Sequence, residues 1–199
     1  KKLFILIREL KTELGRIFRK KIQQGLKIRI NDEIIEPFDP LFLDYGIDNV
    51  RANQVGDTLL YPITVASKEE PSIVKVRFSE FPVNKWSILS NKEKRKHKIT
   101  QRAGCTVLRA DREVDYGWFF MGDKRKENYD DWWRCEISFE PELDELFGVT
   151  HTKQVINPTE FIKEPLTKDI EGIARMLNRN VRDKFLGLKT QVGAMAKVS

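Results

Sequence analysis

The sequence predicts an α+β protein of two layers, a mixed or mainly antiparallel sheet packed against helices. Three observations carry that expectation. Segments with the two-residue alternation of strands fill the middle of the chain, and helical periodicity marks its two ends. A content of 40% hydrophobic and 33% charged residues is that of a chain able to bury a core.

The elements follow in order. From Leu3 to Phe18, Leu3, Phe4, Ile7, Leu10, Leu14, Ile17 and Phe18 recur at steps of three and four, with Arg8, Lys11, Arg16 and Arg19 on the other face. This predicts an amphipathic helix with an apolar face poorly packed within this chain, and Gly25 is placed to end the segment. Leu26, Ile28 and Ile30 then alternate up to Asn31-Asp32, a tight-turn pair leading into Ile34 and Ile35, so a hairpin is expected. Pro37 to Pro40 breaks the pattern, and residues 44–56 carry no clean period, which predicts a long connection. "TLLYPITVAS" and "PSIVKVRFSEF" read as a strand pair joined through Lys68 to Pro71.

The run "NKEKRKHK" reads as a basic loop between strands. "GCTVLRADREVDYGW" predicts a hairpin turning at Ala110-Asp111. "WWRCEISFEP" predicts a half-buried strand with Trp133, Cys135, Ile137 and Phe139 inward, and Trp132, Arg134, Glu136 and Ser138 outward. The last element is expected to begin near Asn157-Pro158, to break at Pro165, and to restart at Thr167 as a long helix with Ile170, Ile173, Ala174, Leu177, Val181 and Phe185 on one face.

With 199 residues the chain suits one domain, or one domain carrying a piece of another. A formal charge of +6 and a pI near 9.2 make a polyanion a reasonable partner. Cys105 and Cys135 form no Cys-x-x-Cys pair and, with His97 and His151, have no zinc-ligand spacing, so both read as free core thiols. The sequence shows no leader peptide and no long apolar run, which points to a cytoplasmic protein with no membrane contact. It opens inside a helical pattern without an initiator methionine, as a fragment would.

Several residues compete for a functional role. Lys92, Lys94, Arg95, Lys96 and Lys98 surround a single acid, Glu93, and form a candidate nucleic-acid contact whose ordinary alternative is a solvated loop. Trp118, Phe119, Trp132 and Trp133 suggest base stacking, but strand alternation sends Trp133 to the core and leaves only Trp132 to face out. Arg102, Arg109 and Arg112 have Asp111, Glu113 and Asp115 beside them, the pattern of surface ion pairs. Glu140, Glu142, Asp144 and Glu145 are spaced as a helix start rather than as an acid/base pair. In "FGVTHTKQ" Lys153 stands in a loop of hydrogen-bonding side chains with no carboxylate nearby.

The ordered segments "ELGRIFRKKIQQGLKIRINDEIIEPFDPLFL", "QRAGCTVLRADREVD" and "WWRCEISFEPELDELFGVTHTKQ" resemble the middle of the ATP-binding proteins that include gyrase, heat-shock chaperones, histidine kinases and MutL, the GHKL ATPases, in the branch near MORC proteins. The resemblance implies that residues 1–43 are the closing helix and hairpin of a nucleotide-binding domain. Residues 44–199 then form a transducer domain resembling the ribosomal protein S-five domain 2-like fold. It makes Lys153 the switch lysine, the catalytic candidate that reaches a terminal phosphate, with Thr152 and Gln154 as nucleotide-contacting neighbours. His151 or Thr152 stands where the family commonly has asparagine.

The family's magnesium-binding asparagine, acidic general base and glycine boxes have no counterpart in these 199 residues. ATP and magnesium are therefore implied for the full-length protein and no cofactor for this segment; ATP hydrolysis is expected only of the whole. The implied partners are the upstream ATPase domain and a second copy in a nucleotide-dependent homodimer. The alternative reading is a nucleic-acid-binding module without enzymatic activity, working through the basic loop.

Overall fold

The computed structural model describes residues 2–66, 68–149 and 155–195. Helix α1 (Lys2–Ile17) runs almost directly into a short second helix, α2 (Arg19–Gln23). The chain then turns at Gly25, whose φ of +107° is open to glycine and strained for other residues. Strands β1 (Arg29–Ile30) and β2 (Glu33–Ile34) form the expected hairpin, with Asn31 and Asp32 both at positive φ as a type I′ turn demands. The two ends of α1 differ in packing. Leu3, Phe4, Leu6 and Leu10 are exposed, whereas at Gly15 an added Cβ would meet the Glu36 carbonyl oxygen at 2.4 Å. Phe38 N–H donates to the Gly15 carbonyl there, so the end of α1 lies backbone to backbone on the segment after β2.

The central sheet contains β3 (Asn53–Gln54), β4 (Leu59–Ile63), β5 (Ser72–Glu80), β6 (Cys105–Arg109), β7 (Arg112–Gly117) and β8 (Trp133–Phe139). Both β3 and β4 pair with β5, and the order continues β5-β8-β6-β7. All pairs are antiparallel except β6–β8, which is parallel and sets Cys105 opposite Cys135. The β6–β7 hairpin turns at Ala110 and Asp111, both at positive φ.

Strand β8 differs from the expected half-buried strand, because Arg134 and Glu136 on its second face are 1% and 3% exposed. The last strand in sequence enters between two earlier ones, so it is central, and α1–α2 reaches across its polar face. The sheet thus remains mainly antiparallel with one parallel pair, packed with helices as the α+β reading requires.

Helix α6 (Glu160–Met195) covers the apolar face. Ile162, Leu166, Ile170, Ala174 and Leu177 are buried against Val74, Val76 and Phe78 of β5, Cys135 and Ile137 of β8, and Val107 of β6. The expected break at Pro165 is absent. Pro165 faces solvent, and only one helical hydrogen bond is lost, while the buried stripe runs continuously past it from Ile162 to Leu166. A second apolar cluster joins Phe42, Phe81, Val83, Trp86, Ile99 and Trp132 to Val181 near the far end of α6. Trp132 belongs to it at 6% exposure, edge-on to Phe185, and is not the outward-facing ring that alternation predicts. The 3-10 turn Asn128–Trp132 precedes β8 and breaks that alternation.

Candidate functional site

Two places hold the residues singled out by sequence. The first is the loop after β8. Beyond a 3-10 turn, α5 (Asp144–Phe147) ends at Gly148, φ +56°, where a Cβ would lie 2.1 Å from the Asn157 carbonyl oxygen. That close approach shuts the base of the loop. Val149 N–H donates to Asp144 O, and after the loop Ile156 N–H donates to Asp115 Oδ2 at 2.8 Å. Asn157 N–H bonds Phe147 O at 2.9 Å and Thr159 N–H bonds Leu146 O at 2.8 Å. Below them Phe147 stacks on Phe139 with ring centroids 3.8 Å apart. Thr152, Lys153 and Gln154, with His151, lie outside the described residues.

The second place is a cleft of about 1180 Å³ between α1 and the basic run. After a short helix α3 (Val83–Trp86), the basic run is itself a helix, α4 (Asn91–Lys96), rather than the expected loop. Ser90 caps it: Ser90 Oγ accepts from Glu93 N–H, and Glu93 Oε2 accepts from Ser90 N–H at 2.8 Å, a capping box. The signal was present as Ser-x-x-Glu ahead of the lysines. Helical spacing separates the five candidates. Lys94 turns inward, donating to the Ser87 carbonyl at 2.7 Å with Nζ 5.9 Å from the Trp132 ring centre. Lys92, Arg95, Lys96 and Lys98 line the cleft, and Arg8 of α1 joins them from the opposite wall.

None of these five cations is in an ion pair among the described residues. Three of the four acids on the cleft are committed elsewhere. Glu13 pairs with Arg16, and Glu93 is in the capping box. Asp39 accepts from the backbone amides of Leu41, Leu43 and Asp44.

Each wall is held by buried arginines that sequence reasoning assigned to the surface or passed over. Arg16 and Arg19 reach through the end of α1 and the start of α2 to Glu113 of β7, and Arg19 also pairs with Glu136 of β8. Arg77 of β5 adds a 2.7 Å bond to Glu136, and Arg102 a 2.9 Å bond to Glu113. The pairs expected on the surface around Arg102 and Glu113 are therefore a buried network, because α1–α2 covers that face of the sheet. Arg109 does keep a bidentate pair at the rim, with Asp144 at 2.6 and 2.7 Å.

Arg134 holds the other wall. It is 1% exposed and donates to carbonyl oxygens only: Lys98, Ile99 and Gln101 just after α4, and Asp131 and Trp133. Its guanidinium lies 4.7 Å from the Phe81 ring centre. Burial pulls its pKa down to about 10, which leaves it charged at neutral pH.

Among the described residues no group of three or more His, Cys, Asp or Glu side chains is placed to hold a metal ion. Cys105 and Cys135 are free and buried, and burial together with the neighbouring Cys105 thiol pushes the Cys135 pKa up. No helix among the described residues is long and apolar enough to cross a membrane. No protein-family model matches the chain, and no curated protein matches it.

Proposed function

We propose that this chain is the transducer segment of a GHKL-type ATP-binding protein, with Lys153 as the switch lysine that couples a bound nucleotide to movement. The observation that supports the reading is the rooted loop. It leaves at Val149, whose N–H donates to the Asp144 carbonyl of α5, and returns at Ile156, whose N–H donates to the side chain of Asp115 of β7. It then feeds within a few residues into α6, a helix of 36 residues and roughly 54 Å. A contact made at the loop therefore has a short covalent and hydrogen-bonded path to the end of a long rod.

An ammonium near a terminal phosphate supplies a charge-assisted contact that disappears when the phosphate leaves, and such a difference in contact biases one position of the rod over another. This chain's own residues do not fit a complete nucleotide site. The sequence has no glycine-rich phosphate cradle, and the described residues offer no metal-holding cluster. Its part is limited to the lysine contact and its transmission; ATP and magnesium would be held by an upstream ATPase domain.

The test is Lys153→Ala in a protein that includes that ATPase domain. ATP turnover should fall by at least an order of magnitude, with thermal stability unchanged, as for most substitutions away from a packed core. Unchanged turnover, or activity lost together with the fold, overturns the assignment. The 199-residue chain alone should neither bind ATP tightly nor hydrolyse it, and magnesium-dependent hydrolysis abolished by a substitution within it would do the same.

A further inference from the structure

We infer that the cleft between α1 and α4 binds the phosphodiester backbone of a nucleic acid, a function separate from the lysine loop and independent of its assignment. Arg8 on one wall and Lys92, Arg95, Lys96 and Lys98 on the other all face one open cleft of about 1180 Å³. Cations gathered on facing walls repel one another, and a fold tolerates that where solvent or an anion screens them. Three of the four acids on the cleft are bound to other groups, Glu13 to Arg16, Asp39 to backbone amides and Glu93 to Ser90, which leaves Glu9 beside Arg8 against five cations.

The form of the anion follows from the geometry. Lys92, Arg95 and Lys96 sit on one side of α4 at i, i+3 and i+4, with Lys92 about 4.5 and 6 Å along the axis from the other two, a span on the order of one to two of the roughly 3.4 Å steps between phosphates along one strand of a duplex. Lys92, Arg95 and Lys96 are exposed, long and rotatable, suited to a row of phosphates and unsuited to enclosing a small nucleotide. The α4 wall and the far end of α1 are nonetheless anchored. Arg134 clamps the carbonyls that follow α4, and the Arg19–Glu136 pair holds the start of α2 on the sheet. A groove anchored at these points and carrying long, rotatable cations reads charge rather than sequence.

The experiment measures binding of the chain to a 20-base-pair DNA duplex, to single-stranded DNA and to single-stranded RNA of mixed sequence across a salt titration. Poly-glutamate of equal charge is the fourth probe. Arg95→Ala/Lys96→Ala and Arg8→Ala are compared with Lys163→Ala/Lys168→Ala, a double variant with the same charge change placed at the start of α6 on the opposite face of the sheet. The expected result is binding to at least one nucleic acid that weakens steeply with salt. The cleft double variant should lose at least about tenfold in affinity and about 1.5–2 in log–log salt slope, and Arg8→Ala about half of that slope change. The control should retain wild-type affinity within about twofold, and all variants should melt as the wild type. Which nucleic acid binds tightest names the physiological source. No binding to any of the three at 50 mM salt, equal binding of poly-glutamate, an equal loss in the control, or an unaffected Arg8→Ala protein overturns the inference.

Discussion

Glu136 sits on the second face of a central strand and takes two guanidinium partners, Arg19 and Arg77. Burial pushes its pKa up, but the two arginines outweigh that cost and hold the carboxyl below its ordinary value of 4.5. The stabilisation is therefore complete above the ordinary carboxylate range and is lost as pH falls through the lower folded value. Asp131 works in the opposite sense. Its pKa is raised by burial, so its contribution favours the fold at low pH and fades as pH rises through the raised value. Glu136→Gln should destabilise the protein by about 3 kcal/mol near neutrality, because Arg77 loses its carboxylate partner and buried Arg19 keeps only its pair with Glu113. Denaturant titrations at pH 7 and pH 3 check this. The gap between wild type and variant should narrow at pH 3, and a constant gap would mean that the Glu136 pKa is the same in the folded and unfolded protein.

At the scale of elements, the six residues of α4 make too short a helix to stand by propensity. The capping box at its start, the Lys94–Ser87 bond and the Arg134 clamp at its end hold it. Ser90→Ala removes the cap and should cost about 1 kcal/mol. The readout is amide hydrogen exchange, several-fold faster in Asn91–Lys96 with β5 and β8 unchanged. Unaltered exchange would assign the helix wholly to its tertiary anchors. Helix α6 shows the opposite balance: Pro165 removes a bond in its second turn, yet the stripe from Ile162 to Val181 continues, since apolar contact over many residues outweighs one hydrogen bond.

Over the whole molecule, α6 joins two apolar clusters. Leu177 lies in the cluster above the main sheet and Val181, one turn on, in the cluster with Phe42, Trp86 and Trp132. Trp133 donates its indole N–H to Asn178 at 2.8 Å between the two. The clusters should therefore unfold together: tryptophan fluorescence and far-ultraviolet circular dichroism should give coincident denaturation curves, although Phe42 precedes the domain boundary expected at 43/44 and Trp133 follows it. Separated transitions would show two independently stable units.

Patterns local in the chain were legible in the sequence. The α1 periodicity, the Asn31-Asp32 and Ala110-Asp111 turns, the β4–β5 pair and the buried stripe of α6 each follow from side-chain spacing or from backbone conformations that neighbouring residues dictate. The role proposed for Lys153 rests on resemblance, and residues 150–154 lie outside the described residues. Tertiary structure alone decided that β8 enters between β5 and β6, because strand order leaves no local signature. That placement buries Arg134 and Glu136, turns expected surface arginines into an internal network, and brings Arg8 across from Arg95 and Lys96 although more than eighty residues separate them in the chain. A cation reads the same in sequence whether it is solvated, buried with a carboxylate or aimed into a cleft, and only the packing around it sets the field it feels.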